Sequence, residues 1–182
     1  MKISSLLLPL SLLYLVGCSP RYDYTLHKPK IVYPKPTKKA LRTTMRQTLG
    51  RGYRWAEEGP RSFDCSGFVY YSYGRMNMEV PRMSADQSKA GYEISTDELE
   101  YGDLLFFDTT SNKSGTINHV GIYLGDGKFQ HASNSKKGVI ISSMNSSYYR
   151  DRLVVCKRYM VDESSGSKEL TATELSTLYD TL

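Results

Sequence analysis

The chain has 182 residues, a formal net charge of +5 and 40% apolar residues. This length suits one domain with short extensions, and it is too short for several domains. Most of the excess positive charge lies near the N-terminus, outside the central domain, so we predict no nucleic-acid partner.

The first residues have the pattern of an exported lipoprotein. A mainly apolar run from Ile3 to Val16 has the length of a signal-peptide core and is short for a membrane span. It ends in Leu15-Val16-Gly17-Cys18, which resembles the bacterial lipobox. We therefore predict a signal peptide over residues 1–17 and a lipid on Cys18. An ordinary signal peptide that contains a cysteine is the alternative. By resemblance to lipoproteins of diderm bacteria, Ser19 favours an outer-membrane anchor that faces the periplasm.

Two polar segments flank the predicted domain. Residues 18–40 start with the acylated cysteine and continue as a tether rich in proline and lysine, a composition typical of an extended spacer. Residues 161–182 are rich in serine, threonine and acidic residues and are predicted to be a flexible acidic tail, with one short helix near Thr171 to Leu178. The domain itself is predicted over residues 41–160.

Helices are predicted in the first half of this domain. The first covers Thr37 to Leu49, where apolar residues recur at helical spacing. The second runs from Asp64 to Tyr73, with Asp64 as its N-cap. The third starts at Ser84, which has the spacing of a capping box with Gln87.

The second half of the domain has the alternating apolar pattern of strands. The predicted strands are Leu104 to Phe107, His119 to Leu124, Phe129 to Ala132, Val139 to Ser142 and Leu153 to Tyr159. Helices followed by strands predict an α+β fold in which N-terminal helices pack on a small antiparallel sheet.

The hairpin between the second and third of these strands decides where two histidines lie. A three-residue loop of Gly125-Asp126-Gly127 would pair His119 with Ser133. His131 would then lie diagonally beside His119 on the same face of the sheet. A loop with an even number of residues would place the two histidines on opposite faces.

Cys65 falls in the first turn of the second helix, where unpaired N–H groups and the helix dipole stabilise a thiolate. With a nearby imidazolium, this position is expected to lower the pKa of the thiol well below neutrality. We predict that Cys65 is a nucleophile, that His119 is its base and that His131 orients His119. The alternatives are a buried structural cysteine, a zinc site formed by the same three residues and a disulfide between Cys65 and Cys156. The apolar strand around Cys156 argues against the disulfide, and no metal or organic cofactor is predicted.

Five motifs, in order, resemble those of the NlpC-type cysteine peptidases of bacterial cell walls. They are Phe63 to Val69 around the nucleophile, Pro81 to Gln87, Gly102 to Phe107, His119 to Gly125 around the base, and His131-Ala132. The resemblance covers nearly all of residues 41–160. It implies a circularly permuted papain-like domain that hydrolyses amide bonds in peptidoglycan stem peptides. The bond most often cut in that family joins γ-D-glutamate to the diamino acid.

The resemblance also implies roles for residues around the nucleophile. Tyr53 corresponds to a family tyrosine whose hydroxyl helps to form the oxyanion hole with the backbone N–H of Cys65. Its alternative role is packing of the loop. Asp64, Arg82 and Ser84 correspond to positions that line the peptide-binding groove, although Asp64 and Ser84 could serve only as helix caps.

One departure from the family pattern lies beside that groove, because Ala56 and Glu57 stand where the family usually has two glycines.

Two other functions remain open from the sequence alone. One is a papain-like amidase or acyltransferase that acts on another substrate. The other is a non-catalytic wall-binding lipoprotein, which would need none of Cys65, His119 and His131.

Overall fold

The structure, a computed structural model, describes residues 36–160. The predictions for the signal peptide, for Cys18, for most of the tether and for the acidic tail lie outside these residues. Within residues 36–160, none of the helices has both the length and the hydropathy needed to cross a bilayer.

The helices are α1 (Lys38–Thr48), α2 (Cys65–Gly74), α3 (Ser84–Gln87) and α4 (Ser147–Arg150). Helix α1 starts within the predicted tether, at the N-cap Thr37, whose side chain accepts a hydrogen bond from the N–H of Ala40. Helix α2 starts after the predicted N-cap Asp64. Helix α4 was not predicted.

Within residues 36–160 the strands form two sheets, and the larger one is entirely antiparallel. A short parallel pair joins β1 (Gly52–Tyr53) to β2 (Ser62–Phe63). The larger sheet contains β3 (Tyr92–Ile94), β4 (Leu104–Phe107), β5 (His119–Gly125), β6 (Lys128–Ala132), β7 (Val139–Ser143) and β8 (Leu153–Arg158), in the order β3-β8-β4-β5-β6-β7. All five predicted strands are present, and the α+β fold with a small antiparallel sheet is confirmed.

Apolar side chains cover both faces of the sheet. On one face, α2 packs against β5 and β6, and Phe68 lies with Phe106 and Ile122 in the main core. Cys156 lies on the other face, 3% exposed, with Phe107 and Phe129. It is a free thiol that packs as a small apolar residue, as predicted.

The capping box predicted at Ser84 is wrong. The N-cap of α3 is Met83, which makes no side-chain cap bond, and Ser84 is the first helical residue. The amide of Gln87 is fully buried and donates to the carbonyls of Ser66, at 3.0 Å, and Pro81, at 2.8 Å. The buried NH₂ group of this amide needs acceptors, and these carbonyls lie within its reach. Gln87 therefore fastens α3 to the start of α2.

The hairpin loop between β5 and β6 also differs from the prediction. The turn has two residues, Asp126 and Gly127, both with positive φ (52° and 67°), and β5 carries a bulge before it. Beyond the bulge, Tyr123 pairs with Phe129 and Ile122 with Gln130. The bulge inserts the residue that the shorter turn lacks, so the register is the one that a three-residue loop would give.

Candidate active site

His119 and His131 are in direct contact in the sheet, as their predicted register required. Nε2 of His119 lies 2.7 Å from Nδ1 of His131. The ring centroids are 4.9 Å apart and the ring planes are nearly perpendicular, at 86°. His131 is fully buried and His119 is 8% exposed. The contact fixes one nitrogen of each ring.

The second nitrogen of His131 faces two hydroxyl groups that the sequence motifs did not predict. Nε2 of His131 lies 3.0 Å from Oγ of Ser142 and 3.4 Å from Oη of Tyr149. Ser142 lies two residues along β7 from Ile140, the cross-strand partner of His131. It is therefore a diagonal neighbour on the same face, which strand alternation could have revealed. Tyr149 lies in the unpredicted helix α4.

These hydroxyls provide an acceptor for a proton on Nε2 of His131. The pKa of His131 is lowered to about 3 by burial, and further by His119 and Lys137, so its ring is neutral at pH 7. A neutral ring has one N–H, which Oγ of Ser142 can accept from Nε2. Nδ1 of His131 then accepts the N–H of His119 Nε2, which leaves Nδ1 of His119 as a free base.

Cys65 lies at the point where helix α2 meets the first residues of β5. It is the first residue of α2 and is 9% exposed. Its Sγ lies 3.8 Å from the carbonyl oxygen of Asn118, the residue before His119. The fold thus brings the thiol beside the backbone from which His119 projects.

The expected low pKa of the thiol is wrong for the resting site. Burial, reinforced by the carboxylate of Asp64, raises the pKa of Cys65 to about 11, although the N–H groups of Ser66 and Val120 act in the other direction. Burial also lowers the pKa of His119 to about 4. Neither group is charged alone in so dry a site. A thiolate can form only when the imidazole takes its proton, so that each charge compensates the other.

Tyr53 lies within electrostatic range of the thiol. It is the second residue of β1, which pairs with β2 immediately before Asp64 and Cys65. Its pKa is raised by burial first, and then by Cys65 and Asp64, so its hydroxyl remains protonated and can donate a hydrogen bond. This placement fits either predicted role, oxyanion donor or packing residue.

Asp64 and Arg82 form a half-buried ion pair at the start of α2. A carboxylate oxygen of Asp64 accepts from the N–H of Gly67 at 2.6 Å, so Asp64 is an N-cap as predicted. Its other oxygen lies 2.6 Å from the guanidinium of Arg82, which also contacts Glu58 at 3.2 Å. Ser84, the third predicted groove residue, is 8% exposed. Arg82 therefore ties the loop before α2 to the first turn of α2.

That loop contains the departure from the family pattern. Ala56 has a φ of 61°, in the left-handed region that favours glycine. The carbonyl of the next residue, Glu57, accepts a hydrogen bond from the N–H of Asp64 at 2.8 Å. A Cβ on Gly67 would lie 2.2 Å from that same carbonyl oxygen. Gly67 therefore lets the loop lie directly on α2.

Among residues 36–160, no three His, Cys, Asp or Glu side chains are arranged to hold a metal ion. Both ring nitrogens of His131 face protein groups. The zinc alternative therefore gains no support from this part of the chain.

The chain is similar in sequence to known proteins. A model of the NlpC/P60 family matches residues 50–158. The "Murein DD-endopeptidase MepH" of Escherichia coli is 36% identical over 142 residues, which are 76% of this chain and 51% of that protein. The "Gamma-D-glutamyl-L-lysine dipeptidyl-peptidase" of Bacillus cereus is 33% identical over 138 residues, which are 76% of this chain and 41% of that protein. The chain thus spans about half the length of these relatives or less.

Solved structures give the same result for the fold. The crystal structure of an NlpC/P60 family protein from Bacillus cereus superposes with a TM-score of 0.66 at 33% identity, over 70% of this chain and 42% of that one. Helices packed on a small antiparallel sheet are therefore this chain's version of a papain-like fold. The circular permutation stays a prediction.

Proposed function

The chain belongs to the NlpC/P60 family, and from that membership we propose that it is a cysteine peptidase that hydrolyses amide bonds in peptidoglycan stem peptides. The observation that carries this proposal is the buried contact of 2.7 Å between His119 and His131, beside the helix start that holds Cys65. A binding module has no need for a buried histidine pair at a thiol, because burying two such rings costs free energy unless each nitrogen is used.

In the proposed reaction, Sγ of Cys65 attacks the amide carbon while Nδ1 of His119 takes the thiol proton. The N–H of Cys65 and the hydroxyl of Tyr53 donate to the oxyanion that forms. His119 then passes the proton to the leaving amine, the C–N bond breaks, and a thioester remains. Water, deprotonated by His119, hydrolyses the thioester and regenerates the thiol.

The high pKa of the isolated thiol and the low pKa of the isolated imidazole are consistent with this order of reaction steps. Both groups are neutral in the resting site. The ion pair is created by transfer of one proton as the sulfur attacks. The imidazolium then lies against a neutral His131, which accepts from its N–H and has no charge to repel it.

We propose that the bond cut joins γ-D-glutamate to the diamino acid, as the family resemblance implies and as the name of the Bacillus cereus relative suggests. The second candidate is a D,D-amide of the cross-link, because the Escherichia coli relative is called a DD-endopeptidase. The two bonds release fragments of different mass.

The test is digestion of purified peptidoglycan by the purified protein, with products identified by mass spectrometry. The comparison variants are Cys65→Ala and Cys156→Ala, since both cysteines are buried free thiols but only Cys65 lies at the histidine pair. Stem-peptide fragments are expected with wild type and Cys156→Ala, and none with Cys65→Ala. Binding of the wall without products would favour a binding module, and products with a different broken bond would favour an amidase of another class.

We also propose that Cys18 is acylated and that the mature protein is held on the outer membrane, facing the periplasm. The support is the sequence alone, namely the lipobox-like segment and Ser19 after it. Cells fed a fatty acid with an alkyne tag should label the wild type and a Cys156→Ser variant, but not a Cys18→Ser variant. Label on Cys18→Ser, or wild type in the soluble fraction, would contradict the anchor.

A further inference from the structure

Helix α1 presents a row of cations to solvent. Lys39, Arg42 and Arg46 are exposed and follow one another at spacings of three and four residues, so they lie on one side of the helix. The opposite side packs in the core through Leu41 and Met45, which are 0% and 2% exposed. Helix α1 contains no aspartate or glutamate. These three cations form the basic face of α1, which extends about 10 Å along the helix.

Neighbouring carboxylates do not neutralise the basic face. Among residues 36–160, none of its three cations forms an ion pair. Glu100, the carboxylate at the start of α1, contacts two other cations, Lys38 at 2.6 Å and Arg158 at 3.3 Å. The guanidinium of Arg42 lies 4.7 Å from the centroid of the Tyr101 ring, a contact that leaves its charge in place. Such a row of cations produces a positive field that attracts anionic surfaces.

The proposed lipid on Cys18 places α1 close to a bilayer. Lys38, the first residue of α1, follows Cys18 by 20 residues, and a chain of that length spans about 70 Å at most. The domain is therefore held within that distance of the bilayer, and α1 is the element at which the anchored chain enters it. Residues 19–35 contain four lysines or arginines and one acidic residue, so the chain that leads to α1 is attracted to the same surface.

An anionic bilayer fits this face better than a small anion does. The surface of a helix is convex and offers no enclosed site, so it suits a broad charged surface. Each lysine or arginine near an anionic bilayer strengthens binding about fivefold. The apolar side of α1 belongs to the core of the domain, so the helix cannot insert among acyl chains. The attraction is therefore electrostatic and acts within about 8 Å at physiological ionic strength.

We propose that the basic face of α1 docks on anionic phospholipid headgroups of the membrane that carries the lipid anchor. This inference goes beyond the catalytic function and rests on the proposed acylation of Cys18, because the anchor keeps the domain near the bilayer. Docking holds the domain on the bilayer surface through charges that take no part in the reaction at Cys65.

The test measures binding to lipid vesicles by a protein that has no acyl group, so that the anchor does not contribute. This unacylated protein is the chain from residue 18 to residue 182 with Cys18→Ser. One set of vesicles contains phosphatidylcholine alone, and the other contains phosphatidylcholine with about one-third phosphatidylglycerol, which is anionic. The bound fraction is measured by sedimentation at about 50 and about 500 mM salt, which differ in how strongly they screen charge.

Two double variants of the unacylated protein are compared. Lys39→Gln with Arg46→Gln removes two cations of the basic face and leaves Arg42 on its ring contact. Lys89→Gln with Arg150→Gln is the matched control, because it also removes one lysine and one arginine, from side chains outside α1 that are 74% and 67% exposed. Both pairs change the net charge by the same amount. A thermal melt checks that each variant is folded.

At low salt the unacylated protein should bind vesicles that contain phosphatidylglycerol and not those of phosphatidylcholine, and high salt should release it. Loss of two cations from the basic face should weaken binding about 25-fold, at about fivefold for each, and the control pair should weaken it less than about threefold. Equal weakening by the two pairs, or binding that does not depend on lipid charge or salt, would overturn the inference. Vesicle binding needs no acyl group, so such a result with Cys18 labelled by fatty acid would overturn the docking and leave the anchor standing.

Discussion

The contact between His131 and Ser142 leads to a prediction about proton positions in the site. Ser142→Ala removes the hydroxyl that lies 3.0 Å from Nε2 of His131. Without that acceptor, the tautomer of His131 with its proton on Nε2 loses the hydrogen bond that stabilises it. In the other tautomer of His131 the proton lies on Nδ1, which would donate to Nε2 of His119. The proton of His119 would then lie on Nδ1, the nitrogen that accepts the thiol proton in the proposed reaction. His119 would then be unable to act as a base.

The magnitude follows from the two hydroxyls at that nitrogen. One hydrogen bond between neutral groups contributes about 1 kcal/mol net, and about 1.4 kcal/mol corresponds to a tenfold change. The hydroxyl of Tyr149 lies 3.4 Å from the same nitrogen and can take over part of the role. We expect Ser142→Ala to lower kcat about three- to fivefold. The double variant with Tyr149→Phe leaves a buried N–H without a partner, and we expect a fall of about 30-fold.

The assay is hydrolysis of a cross-linked dimer of stem peptides, with kcat and KM determined separately and with the rate of Cys65 alkylation measured as a function of pH. Phenylalanine at position 149 keeps the ring that packs 4.8 Å from Phe129, so the double variant is expected to stay folded, which a thermal melt checks. The matched control is Ser143→Ala, whose hydroxyl accepts from the N–H of Asn145 at 3.2 Å.

NMR of ¹⁵N-labelled histidine separates a tautomer effect from a structural one, since the two ring nitrogens report directly which one is protonated. In the double variant the His131 signals should change towards the other tautomer. A folded double variant with the kcat of the wild type, or with unchanged His131 signals and a reduced kcat, would refute this reasoning.

Three further predictions concern stability. Gly67→Ala places a methyl group 2.2 Å from a loop carbonyl oxygen, whereas a Cβ on Gly74 meets nothing within 4 Å. Urea unfolding should therefore show a free energy of unfolding lower by about 2 kcal/mol for Gly67→Ala and unchanged for Gly74→Ala. Equal effects of the two substitutions would contradict the close packing at Gly67. Ala56→Gly relieves a φ of 61° and should stabilise the domain by about 0.5 kcal/mol in the same assay, so a lower urea midpoint would count against strain at this loop. Burial lowers the pKa of His119 to about 4 and that of His131 to about 3, so below pH 6.5 the unfolded chain binds protons that the folded chain does not. The free energy of unfolding should fall by about 1.4 kcal/mol per pH unit for each histidine between pH 6.5 and about 4, and His131→Gln should halve that slope; an unchanged slope would show that His131 is not neutral in the fold.

Much of the arrangement follows from local patterns in the sequence. Helical spacing and an N-cap aspartate place Cys65 in the first turn of α2, because the orphan N–H groups there need a side-chain acceptor. Strand alternation and the glycine-rich turn put His119 and His131 on one face, because the side-chain period in a strand is two residues. Even the error about the loop left that result intact, since the bulge restored the register.

Tertiary packing determined the pKa values and the hydrogen-bond partners of these side chains. The thiol was expected to have a low pKa from its place on a helix, yet burial against β5 and the nearby Asp64 raise that pKa to about 11. Gln87 was read as part of a cap and instead turns into the interior to satisfy two carbonyls. Desolvation and long-range hydrogen bonds depend on which distant segments exclude water from a group, and no local pattern encodes that.

The contacts that complete the site have the same origin. Ser142 and Tyr149 reach His131 from β7 and α4. The sequence by itself determined that Cys65 lies at a helix start and that the two histidines lie on one strand face, because both placements depend on neighbours a few residues apart. Only the tertiary structure determined the burial and the hydrogen-bond partners of these side chains, because both depend on segments that are far apart in sequence and share one water-excluded volume.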